Sequence, residues 1–216
     1  MDLLTIRTYN ELAEEYDKET TGFWEHFPHR VFDKFIAETK GKVLDVGSGP
    51  GRDGLVLKNA GLDVVCLDAS KSMIELSEAK GLKSVLGDFD KLPFSSRSFD
   101  GVWAYTSLLH TPKSKIKEPL MEINRVLKKN GIFGLGLIEG ETELYRESSG
   151  VGKPRWFSFY KKEEIEVLLL YAGFEVIYYE DFQVNTKKYL NFICRKLPIA
   201  PRIKNFLSSI LYRYEH

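Results

Sequence analysis

Val43-Leu44-Asp45-Val46-Gly47-Ser48-Gly49-Pro50-Gly51-Arg52-Asp53-Gly54 runs from an apolar strand into a turn and then into a segment of helical period. The glycines of the turn let backbone come close to a ligand, and the helix that follows begins with N–H groups that have no partner inside it. This combination builds a nucleotide-type site at the carboxyl end of a first strand. Taken alone, Gly49-x-Gly51-x-x-Gly54 also satisfies the dinucleotide fingerprint, so the turn admits two kinds of cofactor. Asp68 closes the next apolar run at the separation expected of a carboxylate that accepts hydrogen bonds from ribose hydroxyls, and it serves either.

Outward from this turn, short runs rich in Val, Ile and Phe alternate with helical periods, the pattern of a doubly wound, mostly parallel α/β sheet. Seven strands are expected, at Lys42–Val46, Asp63–Leu67, Lys83–Leu86, Phe99–Ala104, Gly131–Ile138, Phe174–Tyr179 and Tyr189–Arg195. Helices are expected at Arg52–Ala60, Ser72–Lys80, Ile116–Lys128 and Lys161–Ala172, stopped by Gly61, Gly81, Asn130-Gly131 and Gly173. The whole chain has 216 residues, 43% hydrophobic and 29% charged, which suits one compact domain and leaves no room for a second catalytic one. Its 31 basic residues balance 31 acidic ones, so no global field draws in a polyanion and no DNA partner is expected. Cys66 and Cys194 sit in apolar runs with neither disulfide nor metal spacing; with no targeting or spanning segment in view, a cytoplasmic protein without metal is expected.

Three segments lie outside the alternation. Residues 1–40 read as a helical cap of one or two helices, with a net charge of about −4 and with Tyr9, Tyr16, Trp24 and Phe27. Residues 139–160 are polar and aperiodic and read as a lid loop over the domain at 41–196. Residues 197–216 read as a basic amphipathic helix, with Ile203, Phe206, Leu207, Ile210, Leu211 and Tyr214 on one stripe.

The glycine turn with Asp45 before it, Asp68-Ala69-Ser70-Lys71-Ser72-Met73 after the second strand and Gly87-Asp88-Phe89 after the third resembles the class I S-adenosylmethionine-dependent methyltransferases, of the small-molecule type, from about Gly41 to Gly140. The resemblance implies a Rossmann-like fold with S-adenosylmethionine as cofactor and S-adenosylhomocysteine as product. It assigns the loop Gly47, Ser48, Gly49 and Gly51 to the methionine portion of the cofactor and Asp68 to the ribose, with Asp45 and Ala69 also among the cofactor-binding residues. Met73, Asp88 and Phe89 fall to the adenine, and Tyr16 and Tyr105 to the rest of the cofactor. A carboxylate suits vicinal hydroxyls, and Met offers a soft face to a purine. Tyr105 starts the segment expected under the transferable methyl. His110 is a candidate for removing an acceptor's proton, and Arg155 for contacting an anionic group of the acceptor.

The expected reaction is methyl transfer by in-line displacement to a small-molecule acceptor. A tRNA or protein acceptor stays open, as do RNA or membrane contact through the basic tail and a monomeric or homodimeric state. Ala104-Tyr105-Thr106-Ser107 replaces the Asn/Asp-Pro-Pro-aromatic run of amino-group nucleic-acid enzymes, and no Pro-Cys pair exists for cytosine-C5 chemistry. A nicotinamide oxidoreductase would need a further substrate domain, for which the residues after Gly140 are a thin allowance. A fold retained for binding alone is the remaining class.

Overall fold

The computed structural model describes residues 1–26, 30–147 and 152–198. Four helices open the chain: α1 (Leu3–Glu11), α2 (Ala13–Thr20), α3 (Phe23–His26) and α4 (Arg30–Glu38). The cap is thus more broken than the one or two helices expected. Asp2 caps α1, its side chain accepting from the Thr5 N–H, and no side chain caps α2.

The sheet contains β1 (Lys42–Val46), β2 (Asp63–Asp68), β3 (Lys83–Leu86), β4 (Phe99–Tyr105), β5 (Leu127–Ile138), β8 (Phe174–Val184) and β9 (Lys187–Lys196), in the order β3-β2-β1-β4-β5-β9-β8. Every pairing from β3 to β5 is parallel, and β9 runs antiparallel to both of its neighbours. The strand order reverses at β1, whose neighbours are β2 and β4, and that is where an open α/β sheet leaves a crevice at its carboxyl edge.

Both faces of the sheet are covered, which explains why its central strands are near-continuous apolar runs. On one face Leu44, Val102 and Phe133 pack beneath α7 (Lys117–Val126) and α8 (Lys162–Tyr171). On the other, Val43, Val64 and Trp103 meet α4 through Phe32 and Phe35 and α5 (Arg52–Asn59) through Leu57. Gly134 and Gly136 make room for the aromatics of β4: a Cβ on either would lie 2.3 Å from the ring of Trp103 or Tyr105. Those two rings stack at 5.5 Å and 4° and form the floor on which the cap rests.

The expected lid loop is instead an antiparallel hairpin, β6 (Glu143–Glu147) against β7 (Pro154–Ser158), on either side of residues 148–151. Every β6 side chain is exposed, so the alternation that announces a half-buried strand is missing from its sequence. The hairpin is tied to the cap. Thr8 Oγ1 donates to the Pro154 carbonyl at 2.9 Å, and the Trp156 N–H donates to Thr5 Oγ1 at 2.8 Å. The α7 helix ends at Val126, and β5 begins at Leu127 rather than at Gly131. The expected carboxyl-terminal helix falls, from residue 199 onward, outside the described residues.

Candidate active site

Two adjoining cavities open at the carboxyl edge of β1, β2 and β4. The first is lined by Tyr16, Asp45, Gly47, Ser48, Gly49, Asp68, Ala69, Met73, Phe89, Tyr105 and His110, joining in space most of the residues singled out in the sequence. Gly51, Asp88 and Arg155 are not among its walls.

The glycine turn divides its work. Gly47, Gly49 and Gly51 all have left-handed φ, at 66°, 54° and 82°, which glycine adopts without strain. A Cβ on Gly47 would sit 2.3 Å from Ser107 Cβ, and one on Gly51 2.4 Å from Leu82 Cδ1, so these two glycines serve internal packing. Of the three, Gly49 alone has room for a Cβ, the nearest atom to its ideal position being Tyr16 Cε1 at 3.7 Å.

Asp68 is 8% exposed, and the turn holds it in place. Its Oδ2 accepts from the Gly49 N–H at 2.9 Å and its Oδ1 from the Ser70 N–H at 2.8 Å. Each oxygen keeps a further lone pair for a hydroxyl. Burial outweighs these bonds and pushes the carboxyl up to about 6. Ser70 caps α6 (Lys71–Ala79), accepting from the Met73 N–H and donating to Asn10 Oδ1, which joins α1 to the cavity. Asp88 lies at the rim instead, its Oδ2 2.7 Å from the Met1 nitrogen, and that nitrogen also meets Asp90 at 2.6 Å.

A buried polar node supports the turn from below. Asp53, 4% exposed, accepts from Trp24 Nε1 and Trp103 Nε1, each at 2.8 Å, and from Arg52 Nε at 2.6 Å. The Arg52 guanidinium lies 4.4 Å from the centroid of Phe23. Burial, with Asp53 close by, holds the Asp45 carboxyl well above the usual range. Sequence reasoning passed over Arg52 and Asp53; the available signal was a charged pair inside the glycine turn with tryptophans elsewhere that need acceptors.

His110 connects three elements. Its Nδ1 lies 2.6 Å from the Trp156 carbonyl, which can only accept, so Nδ1 carries the proton and Nε2 accepts from the Tyr9 hydroxyl at 2.8 Å. Arg155 Nη1 donates to the same hydroxyl at 2.7 Å. Burial, with the charge of Arg155 adding to it, pushes the imidazole down to about 3. A neutral ring whose lone pair is already engaged is poorly suited to take a proton near neutral pH. In this arrangement both ring nitrogens of His110, expected from the sequence as a proton acceptor, are engaged by Tyr9 and by the Trp156 carbonyl. Burial likewise raises the Tyr105 hydroxyl well above its ordinary value, which favours its protonated form.

The second cavity, of about 380 Å³, shares Tyr9, Tyr16, Thr20, Arg52, Thr106 and His110 with the first and extends beneath the hairpin to Arg146, Arg155 and Lys187. Arg155 is 4% exposed and packed against the Tyr9 ring at 5.0 Å, not solvated as a loop residue would be. The first cavity measures only about 50 Å³, and Met1, Tyr9, Tyr16 and Thr20 of the cap are among its walls. Ligand pockets run to roughly 300–1,000 Å³. The second is thus of ligand size as it stands, and the first is smaller.

A crevice at the sheet reversal, a glycine turn with one open glycine, a buried acid at the end of β2 and a ligand-sized neighbour define an α/β enzyme that brings a nucleotide cofactor beside an acceptor. Comparison with known proteins narrows the class. Residues 44–135 match a family described as "Methyltransferase domain". An uncharacterised protein of Methanocaldococcus jannaschii is 26% identical over 88% of this chain and 89% of its own length. The demethylmenaquinone methyltransferase of Thermotoga maritima is 32% identical over 58% of each chain, so this chain spans little more than half of that relative. Among solved structures, Burkholderia thailandensis 1,6-didemethyltoxoflavin-N1-methyltransferase, with bound 1,6-didemethyltoxoflavin and S-adenosylhomocysteine, superposes with a TM-score of 0.66 at 18% identity, covering 89% of this chain and 88% of its own, a likeness of fold. The domain match and the shared fold together support a methyltransferase that uses S-adenosylmethionine as its cofactor. The methyltransferase match, rather than the glycine turn, is what favours this cofactor over a nicotinamide. Among the described residues no helix is long and apolar enough to cross a membrane, and no group of three or more His, Cys, Asp or Glu is placed to hold a metal.

Proposed function

We propose that this enzyme methylates a small molecule seated in the second cavity, with the cofactor held in the first. The observation that carries the reading is the wall of six residues common to both cavities, since in-line displacement requires donor and acceptor to face each other across a short gap. When bound, the cofactor supplies an electrophilic methyl group on a sulfonium.

The chain's own residues then bind and orient. Asp68 accepts from the ribose hydroxyls, Met73 and Phe89 pack the adenine, and the backbone around Gly49 receives the methionine portion. The fit is chemical as well as spatial: Tyr105 Oη, Ser107 Oγ and Asp45 Oδ2, on residues lining the first cavity, are buried polar atoms with no hydrogen-bond partner of their own. Asp88 accepts from an exocyclic amine. His110 keeps Tyr9 in place and Tyr105 closes the floor, so catalysis rests on alignment and water exclusion rather than on a buried base. A small acceptor is favoured over RNA or protein because the hairpin and cap roof the second cavity. The quinone-type acceptor in the name of the Thermotoga maritima relative belongs to the same broad class.

The test is methyl-label transfer from S-adenosylmethionine into an extract separated into small molecules, RNA and protein. Label in the small-molecule fraction is expected. Label confined to RNA or protein overturns the acceptor class.

A further inference from the structure

The second cavity carries an arrangement of charge that cofactor binding does not explain. In the hairpin, Arg146 is registered directly opposite Arg155. Directly opposed residues of an antiparallel pair share one face, and like charges there destabilise the pair. The turn between β8 and β9 brings Lys187 to the same cavity. Burial and the two arginines together pull the Lys187 ammonium below its ordinary value. Glu19 is the one carboxylate along these walls, and Arg52, the fourth cation, is matched by Asp53.

The adjacent surface shows that the fold had acids available for pairing. Lys153 pairs with Glu11, and Lys188 with Glu139 at 3.0 Å. Among the described residues, however, no carboxylate lies within ion-pair distance of Arg146 or Lys187. Arg155 is held in advance, with Nη1 on the Tyr9 hydroxyl and its guanidinium against the rings of Tyr9 and Phe157. Three like charges around one cavity, with Arg155 buried and pre-organised and Arg146 exposed on the hairpin, repel one another in the empty protein and are relieved by a bound anion.

Resting on the methyl-transfer reading, we propose that the acceptor is a small organic anion whose carboxylate or phosphate is bound by Arg146, Arg155 and Lys187. These three line only the second cavity, whereas Tyr9, Thr106 and His110 line both. The anionic group therefore lies outside the cofactor cavity, behind Tyr9, and a different atom of the acceptor, at the shared wall, receives the methyl. The acceptor's lone pair forms the new bond to carbon as the carbon–sulfur bond breaks, and that electron pair stays on sulfur. The anionic group is not esterified, so the product keeps its negative charge. The body of the acceptor lies against Phe157, Tyr189, Leu109 and Val184, which favours an apolar or aromatic frame.

Binding of benzoate and phenyl phosphate, with benzamide as the neutral twin of benzoate, tests this on the full chain by calorimetry. Both anions are expected to bind at least tenfold more tightly than benzamide, and Arg146→Gln/Lys187→Gln is expected to erase that gap. In the absence of any ligand Arg146→Gln is expected to raise the melting temperature, because it removes the cross-strand repulsion. Equal affinity for benzoate and benzamide, a gap that survives the double substitution, or a lower melting temperature for Arg146→Gln overturns the proposal. S-adenosylhomocysteine binding, measured on the same samples, distinguishes the two readings. Anion preference without it leaves the anion site standing and sinks the methyl-transfer reading, whereas the reverse sinks the anion site alone. Once an acceptor is in hand, a product that no longer binds an anion exchanger also refutes the inference.

Discussion

Acidifying the medium from pH 8 to pH 5 should weaken cofactor binding about tenfold through Asp68. Burial raises this carboxyl to about 6, against an ordinary value of 3.8, even though the N–H groups of Ser70, Gly49 and Ala69 favour its charged form. At pH 5 only about one Asp68 in eleven is ionised, so the form that accepts from both ribose hydroxyls is depleted about tenfold, worth about 1.4 kcal/mol. The same shift acts on folding with a definite sign. The folded state holds the proton more tightly, so this contribution to stability is full below pH 3.8 and is lost as the pH rises through about 6. Relative to acid, about 3 kcal/mol of stability should be lost at neutral pH through the ionised Asp68.

Calorimetric titration of S-adenosylhomocysteine from pH 5 to pH 8, with urea unfolding of the free protein over the same range, measures both effects. The dissociation constant should be flat above pH 7 and rise toward tenfold per unit below pH 6. Asp68→Asn should bind weakly with no pH slope. It should lose little stability, because the one amide oxygen cannot serve both Gly49 and Ser70, and the lost bond, about 1–3 kcal/mol, offsets the relieved burial of charge. Asp45, raised by burial and by Asp53, lines the same cavity, and His110, held near 3, stays neutral throughout the range. A slope that persists in Asp68→Asn assigns the effect to Asp45 and refutes the reasoning. A dissociation constant unchanged from pH 8 to pH 5 refutes it as well.

Two further outcomes follow from the geometry. Asp53→Ala strands Arg52 and two indole N–H groups in a buried site and should cost about 3–5 kcal/mol in urea unfolding, while Trp24→Phe, which removes one donor, should cost about 1 kcal/mol. Gly47→Ala meets Ser107 and should lower the melting temperature far more than Gly49→Ala. The latter carries only the left-handed penalty of about 1–2 kcal/mol and should fold yet fail to bind S-adenosylhomocysteine; equal destabilisation by the two would contradict the division of labour within the turn.

The hairpin and the cap show why parts of the site stayed hidden in the sequence. A strand announces itself by burying alternate side chains, and β6 buries none, so its sequence reads as loop. With the strand unrecognised, Arg146 and Arg155 could not be seen as neighbours. The role of His110 depends on Tyr9, 101 residues away, and on the Trp156 carbonyl, 46 residues away, and no local pattern encodes such contacts. Asp88 was legible as a site residue, but its meeting with the Met1 nitrogen depends on where the cap lies.

What the sequence determined by itself was the seven-strand alternation, the glycine turn after β1 and the acid at the end of β2. Residue periodicity, glycine stops and a carboxylate at a strand end are local properties, written in consecutive residues. Tertiary structure decided which glycine has room for a Cβ, which state His110 keeps and which cations share a wall. Those outcomes are set by burial and by partners distant along the chain, because packing and the loss of solvent, rather than local conformation, fix whether a polar group is a ligand, a strut or a charge awaiting its counterion.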